Sequence, residues 1–79
     1  MKLWKISQDV NNGYDTYDSA IVAAISRQKA RLIHPAGYET WPPSAGTWVV
    51  DPAQVKVEYV GVAARGTKPG VVIASFNAG

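Results

Sequence analysis

The chain has no cysteine and only one histidine, one methionine and one phenylalanine among its 79 residues. Without cysteine there is neither a disulfide framework nor a thiolate zinc site, which excludes the small disulfide-stapled scaffolds and the cysteine-ligated zinc modules. The same absence fits a reducing compartment. Long hydrophobic runs are missing too. The longest wholly apolar stretch is Ala20 to Ile25, far short of the ~20 residues that cross a bilayer. The opening "MKLWKISQDV" breaks its apolar segment with Lys5 and turns polar at once, so it does not read as a signal peptide. Net charge is scarce, at +2. There is no phosphate-cradling glycine loop, since "GTKPG" lacks the spacing and no helix follows it.

What is present suits one small soluble domain spanning residues 1–79. Hydrophobic residues make up 47% of the chain, enough for a globular core and too many for a disordered segment. A chain of this length buries only about 60% of its unfolded surface, so the core must be thin. The charge is unevenly spread. Residues 1–26 set Lys2 and Lys5 against Asp9, Asp15 and Asp18, whereas residues 27–34 hold Arg27, Lys29 and Arg31 with His34 beside them and no acid. Such a local field steers an anionic partner even when the total charge is small.

Periodicity supplies the elements. In "KLWKISQDV", Trp4, Ile6 and Val10 share one parity and Lys5, Ser7 and Asp9 the other, the pattern of a half-buried strand. Asn12-Gly13 predicts a turn and hence a hairpin to the next strand. "SAIVAAI" is apolar on both parities, as a central strand should be. Ser26 then reads as an N-cap, and the helix should run to His34, because Pro35 disfavours helix in the residue before it. Ala30, Leu32 and Ile33 form its expected core face, with Lys29 snorkelling outward. "WVVDPAQV" predicts an extended piece and one helical turn capped by Asp51. "VKVEYVGVA" and "VVIASF" read as two further strands joined by "ARGTKPG", a hairpin loop with Arg65 and Lys68 at its tip. The fold class expected is α+β, a small antiparallel sheet of about four strands in the order β-β-α-β-β, with one helix packed on one face.

Three constellations stand out. Arg27, Arg31 and His34 fall within an arc of about 60° on a helix at 100° per residue. Charge runs are most often solvated faces. These, however, begin in the first turn, where cations forgo roughly 0.3–1 kcal/mol each relative to acids, which points to a use elsewhere and so to a partner. Arg65 and Lys68 extend that basic surface if their loop lies on the same side. Tyr38, Trp41 and Trp48 either lid one end of the sheet or anchor an interface, core packing being the ordinary use of such rings.

Catalysis finds little footing. Ser26 and His34 are just over two helical turns apart and do not meet as nucleophile and base. Asp15 and Asp18 suit a solvated turn. "DVNNGYD" is superficially similar to a calcium loop, but its glycine is misplaced and its twelfth position is Ala20. No enzyme activity, metal or cofactor is expected.

"NNGYDTYDSAIVAAISRQKARLIHP" and the ending "VKVEYVGVAARGTKPGVVIASFNAG" resemble a family of short phage and prophage proteins that includes anti-CRISPR proteins against the type I-C system. "YDTYDSA" and "ASFNAG" are the most recognisable pieces, and neither is a mechanistic motif. The resemblance implies inhibition by binding to Cascade, the crRNA-guided surveillance complex, so that target DNA is kept out, in the cytoplasm of an infected bacterial host. The partner-binding residues expected are Arg27, Arg31, His34, Arg65 and Lys68, meeting an acidic patch or exposed phosphates of the complex. A protein partner is expected first and nucleic acid second, with no membrane involvement and a monomeric state.

Overall fold

Alternation and polar side chains together set the length of the first strand. The structure is a computed structural model and describes residues 1–37 and 46–77. In it Trp4 and Ile6 turn into the core from β1 (Lys2–Ser7). The strand stops short of Val10, which is 58% exposed. The cause is Gln8, whose buried side chain replaces the ladder at this point. Its Nε2 donates to the carbonyls of Asn11 and Tyr17, at 2.8 and 2.9 Å, and its Oε1 accepts from the amides of Val10 and Asn11. The chain therefore curls after Ser7 and returns as β2 (Thr16–Ala24) in antiparallel register, Trp4 opposite Val22 and Ile6 opposite Ala20. The positive φ of this connection falls on Asp15, at 60°, and not on the Asn12-Gly13 pair that the sequence favours.

β2 is central, as its two-sided apolar pattern predicts. β3 (Lys56–Val62) pairs with β1 on one side, and β4 (Gly70–Asn77) pairs with β2 on the other. The sheet order is β3-β1-β2-β4, all antiparallel. The expected hairpin between the last two strands is therefore corrected. They occupy opposite edges, and residues 63–69 cross the end of the sheet where β1 begins and β2 ends. Pairing β4 beside β3 would have left one side of the alanine- and valine-rich β2 without a strand.

The helix is also shorter than expected. Ser26 caps it, its hydroxyl accepting from the Lys29 amide at 3.2 Å, and α1 covers Arg27–Arg31. The amides of Leu32 and Ile33 then bond to carbonyls three residues back, Lys29 and Ala30. That tightens the last turn and ends the helix before His34. Ala30 is fully buried, Ile33 is half-buried and Leu32 is 53% exposed, so Leu32 leaves the expected core face. Asp51 caps a 3-10 turn over Pro52–Gln54 as the sequence predicts.

One face of the sheet holds the core: Trp4, Ile6, Ala20, Val22, Ala24 and Val57, covered by Ala30, Trp48, Val49 and Val55. Trp48 has no exposed surface and packs as a core ring. Its segment is tied down by Asn11 Nδ2, which donates to the carbonyls of Gly46 and Trp48, and by the Tyr17 amide, which donates to that of Thr47. Tyr38 and Trp41 lie outside the described residues. The other face carries Lys5, Ser19, Ile21, Ile73 and Ser75 around a shallow groove of about 330 Å³.

Gln8→Ala strips four hydrogen bonds that a buried side chain makes to the turn and leaves backbone groups unpaired. An expected loss of about 2 kcal/mol is measurable as a lowered urea midpoint with an unchanged slope.

Candidate functional site

α1 delivers its two arginines to the edge of β3. The Arg27 guanidinium donates to the Val57 carbonyl and lies over the Trp4 ring, 5.4 Å from its centroid. Arg31 donates to the Val55 carbonyl at 2.6 Å and reaches that of Pro52 at 3.5 Å. Val55 and Val57 are two residues apart, so their carbonyls point the same way in extended chain. The outer side of β3 has no strand neighbour among the described residues. The arginines thus satisfy backbone acceptors that an edge would otherwise offer to another chain. A helix of five residues is too short to hold itself. Arg27 at its start and Arg31 at its end are the means by which it is held.

The five residues singled out from the sequence are therefore not gathered into one patch. Arg27 is exposed and Arg31 half-buried, and both guanidinium groups bond to the molecule's own backbone. His34 falls beyond the helix and is 1% exposed. Its Nδ1 accepts from the Ala36 amide at 3.0 Å and its ring stands 6.5 Å from that of Trp48. Burial removes it from the expected exposed arc and pushes its pKa below the ordinary 6.5, because the cation would lose its hydration. Arg65 and Lys68 are exposed in the 63–69 crossover. The Val57 carbonyl, where Arg27 is bound, lies five residues along β3 from Val62, or about 16 Å at ~3.3 Å per residue.

A different cationic cluster emerges from the topology. The start of β1, the end of β2, the end of β3 and the start of β4 lie together, with Lys2 opposite both Ala24 and Val62, and Ala23 opposite Gly70. Lys2, Arg65 and Lys68 sit at this end. Lys29 joins them, since it lines a cleft of about 290 Å³ with Ile25, Ile33 and Pro69. No described acidic residue belongs to this end. The acids occupy the opposite one: Asp9 and Asp15 in the β1–β2 connection, Asp18 early in β2, and Asp51 just before β3. Of the basic residues there, Lys56 is paired with Asp9 at 2.9 Å, which lowers the Asp9 pKa through that bond, and Arg31 is bound to backbone. Midway, Lys5 stands opposite Glu58. β2, nine residues long, separates the two charge clusters by about 30 Å.

This segregation was not legible from segment charges, which mark residues 27–34 as the basic stretch. Its cations come from three separate segments, and only the strand order joins them. Among the described residues no group of three or more His, Asp or Glu is placed to hold a metal ion, and no described helix is long and apolar enough to cross a membrane. Compared with protein-family models, curated proteins and solved structures, the chain matches none.

Arg31→Met keeps the apolar stem and removes a charge-assisted bond, so it costs about 1.5–3 kcal/mol in chemical denaturation. Arg65→Met stays within about 0.5 kcal/mol of the parent. His34 has a lower pKa folded than unfolded, so its neutral ring contributes stability that is complete above about pH 6.5 and is lost as pH falls through the unfolded and then the folded value. Lowering pH from about 7 to 5 reduces Tm. His34→Asn, whose amide oxygen accepts in place of Nδ1, flattens that decline in a pH series of thermal melts.

Proposed function

We propose that the chain is a non-catalytic binding protein that attaches its basic end to an anionic surface of a larger assembly. The assembly we propose is the type I-C Cascade complex, which the bound protein then keeps from its target DNA. The observation that carries the docking half of this reading is the clustering of Lys2, Lys29, Arg65 and Lys68 at one end of the sheet with no described acid among them. Exposed cations on a rigid sheet end raise the encounter rate with an anionic partner and fix its orientation. The resemblance of residues 11–35 and 55–79 to phage-encoded inhibitors supplies the choice of assembly.

This docking surface differs from the one expected from the sequence. Arg27 and Arg31 contribute field, but a partner that took their guanidinium groups would have to break bonds to the backbone of residues 55 and 57. His34 is enclosed. Arg65 and Lys68 remain, joined by Lys2 and Lys29. A phosphate-bearing groove and an acidic protein patch present the same chemistry to this end, and salt separates them, because release of counterions from nucleic acid gives a log–log slope of about one per phosphate contacted.

The test is a double variant, Lys2→Glu with Arg65→Glu, both at exposed positions. It should remain folded by circular dichroism, fail to co-purify with type I-C Cascade, and restore target-DNA binding by the complex. A folded double variant that inhibits as well as the parent overturns the docking surface. If the parent protein leaves Cascade untouched but binds naked DNA with a steep salt slope, the basic end is a nucleic-acid site instead.

A further inference from the structure

The two edges of the sheet are finished in opposite ways. β3 has Arg27 on its Val57 carbonyl, Arg31 on the Val55 carbonyl just before it, Lys56 and Glu58 along its length, and a bulge at Val60, where the pairing steps from Trp4–Tyr59 to Leu3–Gly61. These are devices that keep an edge from pairing. β4, "GVVIASFN", carries no charge and no proline over eight residues, and no strand lies beyond it among the described residues. Val72, Ile73 and Phe76 are 54%, 65% and 44% exposed. Among the described residues its single protection is the bulge at Val72, which leaves the run from Ile73 to Asn77 in regular pairing with β2, apart from a second shift at Asp18.

We infer that β4 is a self-pairing edge, joining two copies of this chain about a twofold axis into one eight-stranded antiparallel sheet. Charge decides in favour of a second copy as the occupant. Lys68 lies two residues before β4, and Asp15 lies beside its other end, its amide donating to the Asn77 carbonyl at 2.6 Å. Antiparallel pairing of two such strands sets Gly70 of each against Asn77 of the other. Lys68 of each copy then lies at the same end as Asp15 of its mate, one strand away, and the arrangement occurs twice. The strand between is neutral and meets itself without repulsion, and the basic end of one copy lies beside the acidic end of the other. The exposed Ile73 side chains approach one another on the open face, and the two Arg65 residues stay at opposite ends of the joined sheet. This departs from the monomer expected from the sequence, and it stands whether or not the basic end binds Cascade.

Sedimentation equilibrium of the full chain in low salt, over a range from about ten to several hundred micromolar, tests it. The expected result is a closed monomer–dimer equilibrium at 8.5 kDa and twice that mass. Ile73→Lys should abolish the dimer with circular dichroism unchanged. Val60→Lys, on the edge already blocked, should leave it intact. Lys68→Glu should raise the dissociation constant about tenfold, because two exposed attractions become repulsions. A protein that stays monomeric throughout overturns the inference. So does open-ended growth beyond the dimer, or association as sensitive to Val60→Lys as to Ile73→Lys.

Discussion

Two guanidinium groups, one bonded to a carbonyl of the outer strand β3 and the other to the carbonyl just before it, govern how the rest of this molecule is used. α1 has a single fully buried side chain, Ala30, which removes too little apolar surface from water to hold a helix against a sheet. Charge-assisted bonds from Arg27 and Arg31 to Val57 and Val55 supply what burial does not, and the Trp4 ring under Arg27 adds a cation–π contact. The same bonds close one edge of the sheet. They leave the cations outside this arrangement, at the end where Lys2, Arg65 and Lys68 meet, free to face outward.

The placement of charge follows from topology more than from composition. A net charge of +2 predicts little, yet the four-stranded order sends Lys2, Lys29, Arg65 and Lys68 to one end and four aspartates to the other. Had the last two strands formed a hairpin, Arg65 and Lys68 would have stood beside β3 alone. The crossover instead lays them across the mouth of the sheet, next to Lys2. Polarity along the strand direction is thus built by connectivity, from residues that are unremarkable one by one.

Sequence reasoning reached the elements and stopped at their neighbours. The alternation about Trp4 and Ile6, the two-sided apolar β2 and the Ser26 and Asp51 caps were all legible, because each is a local pattern with a local cause, whereas whether Trp48 packs or anchors a partner was left open until the fold enclosed it. The strand order was not, since "VKVEYVGVA" and "VVIASF" carry no mark of which side they pair on and the short glycine-bearing link imitates a hairpin. Helix length failed for a related reason: Pro35 marks where a helix must have ended, not the tightened turn at Leu32 and Ile33 that ends it sooner. The role of Arg27 and Arg31 was misread because an arginine that bonds to a distant backbone carbonyl looks, in sequence, the same as one left for a partner. Gln8 gave no signal at all, as its four bonds depend on the way the following loop folds back.

The opposed positions of β3 and β4 also bear on how this chain reaches its native state. Among the described strands only the β1–β2 hairpin is made of near neighbours. Ile6 must find Val57 and Ala20 must find Ala74, contacts that span most of the polypeptide and delay the entropic return on ordering it. On a ribosome, the central hairpin would emerge long before either flanking strand, so two of the three strand pairings wait until β3 and β4 have been made. Assembly of the sheet is accordingly a late, cooperative event, set in time by the arrival of the outer strands.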